Sequence, residues 1–170
     1  MADEKIVDAI ISRLNVEKND IDKYSAEAVT NMIWALGHLG NPKALSPIIN
    51  VLTAVKARRD MSVETIQKEG LSALGRMGGK DAIYAIISHF SVPNAQEYAL
   101  AAIKNIGAPA SEYLIKVLEL DDLLIRENAL RALAEIGVKE AVDHVVPLLD
   151  DDDVRIAGDA ALALAALCAH

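Results

Sequence analysis

The sequence predicts an all-α fold of the α-α superhelix type: a right-handed solenoid of about five helical hairpins, ten helices in all. Two recurring patterns and the composition predict it. The first pattern ends at Gly40, Gly78, Gly107 and Gly137, as in Ala35-Leu36-Gly37-His38-Leu39-Gly40 and Ala132-Leu133-Ala134-Glu135-Ile136-Gly137, and recurs without its glycine at Ala163–Cys168. These ends lie 38, 29, 30 and 31 residues apart, a period that marks a stacked helical array. The second pattern follows each glycine: ALSPIINVL from Ala44, AIYAIISHF from Ala82, ASEYLIKVL from Ala110 and AVDHVVPLL from Ala141. Its apolar residues fall at the first, second, fifth, sixth and ninth places, one stripe of an amphipathic helix. The chain is 52% hydrophobic but only 4% aromatic, so its core is built from Ala, Leu, Ile and Val, which suits closely packed helices.

The elements follow in order. Ile6–Leu14 (IVDAIISRL) repeats the second pattern and makes a half-repeat over 3–14. Full repeats are expected at about 20–55, 60–91, 93–120 and 121–150, with a final helix over 153–168, all in one domain spanning 1–170. Each first helix stops at a glycine, which adopts the left-handed cap conformation without strain. Pro42 and Pro109 soon follow two of these glycines, where a first helical turn tolerates proline. Asn94 with Glu97 has the spacing of a capping box, Asn standing for the usual Ser or Thr. Ala35, Ala73, Ala102 and Ala132 are small enough for the two helices of a hairpin to approach closely. The connections into the first helices are uneven: 14 residues from Leu14 to Ala28 and from Leu52 to Ile66, but five to seven in later repeats. The two long ones are expected side by side on one edge, as longer helices, loops or a partner-binding edge.

On these residues the chain resembles HEAT repeats of the phycobilisome-lyase type. The stretch Ile125-Arg126-Glu127-Asn128-Ala129-Leu130-Arg131-Ala132-Leu133-Ala134-Glu135-Ile136-Gly137, continued through Pro147-Leu148-Leu149, carries the likeness most fully. The resemblance spans roughly Ile6 to Leu167. It implies the fold, and allows roles from lyase to scaffold or regulatory subunit. The arginine at the second place of the repeat survives only as Arg126; Val29, Gln67, Gln96 and Ala157 stand there elsewhere. Packing, rather than a ladder of ion pairs, is therefore expected to join the repeats.

The residues argue against several chemistries. With 17 basic and 25 acidic residues the net charge is −8, which repels a phosphate backbone and speaks against nucleic acid. No apolar run approaches the roughly 20 residues of a spanning helix. Cys168 is the single cysteine, and acids follow Met1 where a secretory signal carries positive charge, so a reducing, cytoplasmic setting is expected. None of His38, His89, His144 and His170 has a second His three or four residues away, or a Glu directly after it, so no helical metal face forms locally. The His-Glu pairs of the di-iron enzymes among HEAT-like folds are missing too. His89 and His144 fall on second helices and are expected as partly exposed residues beside the core stripe. Asp150-Asp151-Asp152-Asp153 precedes the last helix, where acids cap it and favour its positive end. Trp34 is expected to cover the connection after Asn15, against Tyr24. No catalytic group, cofactor site or metal site is predicted, and an enzyme is the less favoured reading.

The remaining signal is a surface. The third and seventh places of the second helices are expected on the concave face: Ser46 and Asn50, Tyr84 and Ser88, Glu112 and Lys116, and Asp143. They are small, polar and of mixed charge, suited to a protein or peptide partner. Lys56, Arg58 and Arg59 form the densest basic cluster and a second candidate edge. The expected function is a non-enzymatic interaction module, a scaffold or regulatory subunit. The alternative is a bilin lyase-like or chaperone-like protein acting on a chromophore carrier. The last helix, IAGDAALALAALCAH, lacks the polar face of a terminal repeat. Three readings are open: the array is cut from a longer chain, the helix packs against another molecule, as in a homodimer through it, or it tucks under the preceding two helices.

Overall fold

In the computed structural model the chain is all-α. It describes residues 2–14, 24–58 and 61–169, and these hold ten α-helices and no strand. The helices are α1 (Ala2–Ile11), α2 (Ala26–Leu39), α3 (Leu45–Val55), α4 (Met61–Met77), α5 (Lys80–Ile87), α6 (Gln96–Ile106), α7 (Ser111–Val117), α8 (Leu123–Ile136), α9 (Val142–Val145) and α10 (Val154–Ala169). Their order is the predicted alternation: even-numbered helices carry the first pattern, odd-numbered ones the second. The chain divides into two compact units, Met1–Ala102 and Ile103–His170.

Local chemistry sets the helix ends. The Ser25 hydroxyl accepts the Ala28 N–H at 3.2 Å, and the Asp122 carboxylate accepts that of Ile125 at 3.1 Å, each meeting an orphan donor of the first turn. Gly40 and Gly137 close α2 and α8 at φ 62° and 76°, returning their N–H groups to Leu36 and Leu133. Asn94 differs from its expected capping role. It lies at φ 67°, and α6 begins two residues later at Gln96, too far for a cap in extended backbone. The second pattern of the last full repeat is split: α9 stops at Val145 and a 3-10 turn runs Val146–Asp150. Pro147, in the first turn of that segment, has no N–H to continue an α-helical ladder.

In the first unit, first helices touch through small residues. A Cβ on Gly37 of α2 would lie 2.7 Å from the Ala73 Cβ of α4, and one on Gly75 would lie 3.0 Å from the Ala102 Cα of α6. The alanine column therefore meets the first helix of the preceding repeat, rather than serving its own hairpin alone. Gly70 of α4 allows a similar approach to the second helix of the preceding repeat, its Cβ position lying 2.7 Å from the Leu52 side chain of α3. The core behind these contacts includes Ile33, Leu36, Leu52, Leu71, Leu74, Ile86 and Phe90, all fully buried. Each contributes roughly 1.5–3 kcal/mol by leaving water. Lys43 ties the start of α3 to α1 through Glu4 at 3.0 Å and Asp8 at 3.6 Å. The second long connection is taken up partly by α4, which reaches 17 residues by beginning at Met61. Most of the first long connection lies outside the described residues, and so does its expected pairing with the second.

In the second unit α8 packs on α7 and α10, and α9 packs on α10. Arg126 of α8 donates through Nε to the Leu118 carbonyl at 2.9 Å and pairs with the Asp151 carboxylate. Asp153 caps α10 as expected, accepting the Arg155 N–H at 2.9 Å.

Candidate functional site

The second helices α3 and α5 bound a groove of about 640 Å³ in the first unit. From the α3 side it is lined by Pro42, Leu45, Ser46, Ile49 and Thr53, positions three to four apart and hence on one face. From the α5 side it is lined by Asp81, Tyr84, Ala85, Ser88 and His89. Three of the sequence-predicted residues, Ser46, Tyr84 and Ser88, therefore meet in one site. Asn50 is exposed but does not line it. Neighbouring helices share a groove through the flanks that face each other. The lining thus turns toward Ile49 on one helix and toward Ala85 and His89 on the other.

The other predicted residues lie elsewhere. Lys56 is the half-buried cap of α3, and Arg58 is exposed just beyond it. Arg59 lies outside the described residues. In the second unit Glu112 and Lys116 form an ion pair along α7, and Asp143 is exposed on α9. Trp34 is 52% exposed and stacks on His38 of its own helix, ring centres 4.0 Å apart.

The groove mixes apolar and polar chemistry. Tyr84 is 41% exposed, with the Lys80 ammonium 6.0 Å from its ring centre. The Ser88 hydroxyl donates to the Ala85 carbonyl at 2.8 Å and the Thr53 hydroxyl to that of Ile49 at 2.8 Å, so both line the groove as acceptors. His89 differs from expectation: it is 2% exposed rather than a partly exposed residue. Its Nδ1 lies 2.8 Å from the Ala85 carbonyl, which can only accept, so Nδ1 carries the proton. Nε2 is buried with no hydrogen-bond partner. Burial pushes the imidazole below its ordinary 6.5 and the Lys56 charge adds to the lowering, against the opposing pull of the Ala85 carbonyl and, more weakly, of the Leu52 carbonyl. The sequence signal for His89 was its eighth place in the pattern, next to the apolar ninth at Phe90. The turn that ends α5 at Ile87 rotates it inward. Among the described residues no three His, Cys, Asp or Glu side chains converge as for a metal ion, and no helix is long and apolar enough to cross a membrane.

The repeating first and second helices, joined through small residues, define a helical-hairpin repeat protein. The family comparison is specific about the kind: HEAT repeats match residues 91–165, and the PBS lyase HEAT-like repeat matches residues 30–54. The chain is a HEAT-like repeat protein. Nothing among curated proteins matches it. Among solved structures it is similar to a chain in the complex of CpcE and CpcF of phycocyanin lyase from Nostoc sp. PCC7120, with a TM-score of 0.56 and 20% identity. That likeness covers 96% of this chain and 65% of the other, so this chain spans under two thirds of its neighbour's length. An engineered protein is similar at 21% identity and a TM-score of 0.44, over 96% of this chain and 79% of that one.

Proposed function

We propose that the chain is a non-enzymatic protein-binding module of the cytoplasm, a scaffold or regulatory subunit that takes a protein or peptide segment into the α3–α5 groove. The observation that carries this is the convergence of Ser46, Tyr84 and Ser88 on one groove of about 640 Å³ with an apolar flank at Leu45 and Ile49. Hydroxyl acceptors beside an exposed tyrosine suit an extended main chain with one apolar anchor. The structural neighbour belongs to a two-protein complex, which supports a protein as the partner class. The lone cysteine, Cys168, supports a reducing compartment. The test is affinity capture with the whole chain beside the variants Tyr84→Ala and Ser46→Arg. A specific protein held by the parent chain and lost from both variants is expected. Retention undiminished by either change would remove the groove from the reading.

A second reading is favoured by one observation. The PBS lyase HEAT-like match, residues 30–54, supplies the whole α3 wall of the groove. In that reading the groove serves a chromophore-carrier protein and its bilin. Titration with a free bilin, followed by absorbance, separates the two. A red-shifted band that Tyr84→Ala abolishes supports the lyase-like role, and an unchanged spectrum removes it.

A further inference from the structure

We propose that the α3–α5 groove holds an arginine side chain of its protein partner, with the guanidinium between Asp81 and the Tyr84 ring and the stem along Leu45 and Ile49. This names the residue that the groove reading leaves open, and it rests on that reading. Charge comes first. Asp81 is the one formal charge in the lining, since burial keeps His89 neutral. Its carboxylate is exposed and has no ion-pair partner among the described residues. A carboxylate accepts hydrogen bonds and donates none.

The hydrogen-bond polarity of the walls agrees. The Thr53 hydroxyl is spent on the Ile49 carbonyl and the Ser88 hydroxyl on the Ala85 carbonyl, at 2.8 Å each. The His89 Nδ1–H goes to the Ala85 carbonyl as well, at 2.8 Å. The protons of these three side chains are committed within the walls. The two hydroxyl oxygens keep lone pairs for a ligand, and the Ser46 hydroxyl can accept too. The groove therefore favours a group made of donors. Lysine and arginine alone combine donors, no acceptor and a standing positive charge.

Geometry selects arginine. Asp81 and Tyr84 stand three apart on α5, hence on one face. A helical side chain leans over the turn before it, which carries the Tyr84 ring toward Asp81. That ring is 41% exposed and already draws a cation: the Lys80 ammonium lies 6.0 Å from its centre, the outer reach of such a contact. Lys80 is exposed on a flexible stem, so it can swing aside. A planar guanidinium stacks on the ring while its fork reaches the carboxylate; an ammonium is a compact, strongly hydrated point charge that does neither as well. Across the groove, the half-buried Leu45 and Ile49 offer an apolar wall for the methylene stem.

The neighbouring cations leave the slot open. Lys43, beside Pro42, is held by Glu4 and Asp8. Lys56 acts on His89, which lies eight positions beyond Asp81, about 12 Å along α5. The net charge of −8 draws a basic segment toward the chain.

Titration of the isotope-labelled whole chain with Nα-acetyl-arginine methylamide, followed by amide chemical shifts, tests this. Saturable shifts are expected at Tyr84, Ala85 and Ser88. The citrulline counterpart, neutral but of nearly the same shape, should produce none, and the lysine counterpart should bind more weakly. Asp81→Asn should weaken the arginine probe about fivefold, and Asp81→Glu should restore most of the affinity. Lys80→Ala should tighten it about twofold by removing the competitor for the ring. All three variants should keep the circular dichroism spectrum of the parent chain. No shifts with the arginine probe, equal binding of the citrulline probe, or equal affinity in Asp81→Asn would overturn the proposal. Capture separates it from the groove reading. A protein held by the parent chain and lost from Tyr84→Ala, in a chain indifferent to the arginine probe, removes the arginine slot and leaves the groove. Undiminished capture by both Tyr84→Ala and Ser46→Arg removes the groove reading, and the proposal with it.

Discussion

Arg126 of α8 grips the carboxylate of Asp151, joining the first helix of one repeat to the turn that opens the next. Both side chains are largely buried, at 16% and 15% exposure. The arginine also holds the Leu118 carbonyl at 2.9 Å, so one guanidinium fastens three segments of the second unit. Removing it strands a buried carbonyl and a carboxylate together. Arg126→Ala should therefore lower the melting temperature more than Asp151→Asn, which leaves the Leu118 bond intact. Differential scanning calorimetry of the two variants beside the parent chain checks the order.

The same pair sets an acid limit. The Arg126 hydrogen bond holds Asp151 below its ordinary 3.8, with the Asp153 N–H adding to it. Asp153 is likewise held down, first by Arg155. A carboxyl lowered in the fold contributes its stabilisation in full above the unfolded value and loses it as pH falls through the folded one. Melting temperature should thus begin to drop near pH 4 and continue downward. Asp151→Asn should flatten part of that drop; an equally steep fall in the variant would assign the acid sensitivity to other carboxyls.

Two glycines with the same propensity should respond oppositely to alanine. At Gly37 the new methyl would stand 2.7 Å from the Ala73 Cβ and 3.2 Å from its Cα, neither of which swings aside. Overpacking of this kind costs about 1–3 kcal/mol, outweighing the helix gain. At Gly158 nothing lies within 4 Å, so alanine should add up to about 1 kcal/mol. Urea unfolding of both variants measures the two signs.

These contrasts mark what the sequence made legible. The period and the two stripes foretold the helix order, the glycine caps at Gly40 and Gly137, and the acid cap at Asp153. The alanine column was visible at Ala73 and Ala102, but its partner was not, because contact between successive first helices depends on how hairpins stack. The groove was legible in Ser46, Tyr84 and Ser88. Ile49, Ala85 and His89 were missed because a column count treats each helix alone, whereas a groove belongs to two. Pro147 could have warned that the last second helix would break. The inward turn of His89 follows from where α5 ends, which the pattern through Phe90 did not mark.

His89 should make the first unit sensitive to mild acid. Its Nδ1–H is committed to the Ala85 carbonyl, its Nε2 is buried without a partner, and Lys56 is the nearby cation. A second proton would place a charge where water cannot reach it. The folded value lies below the ordinary 6.5, chiefly through burial, so the unfolded chain binds the proton first. Stability is then full above about pH 6.5 and declines as pH falls below it, before any carboxyl of the Arg126 pair responds. His89→Asn keeps an amide donor for the Ala85 carbonyl and does not titrate. The parent chain should lose melting temperature between pH 7 and 5.5, and the variant, though less stable at pH 7 through lost volume, should hold its value over that range. A parallel decline in both would place the acid-sensitive group elsewhere. Because His89 lines the groove beside Ser88 and Tyr84, the same titration read through partner binding shows whether protonation loosens the α5 wall.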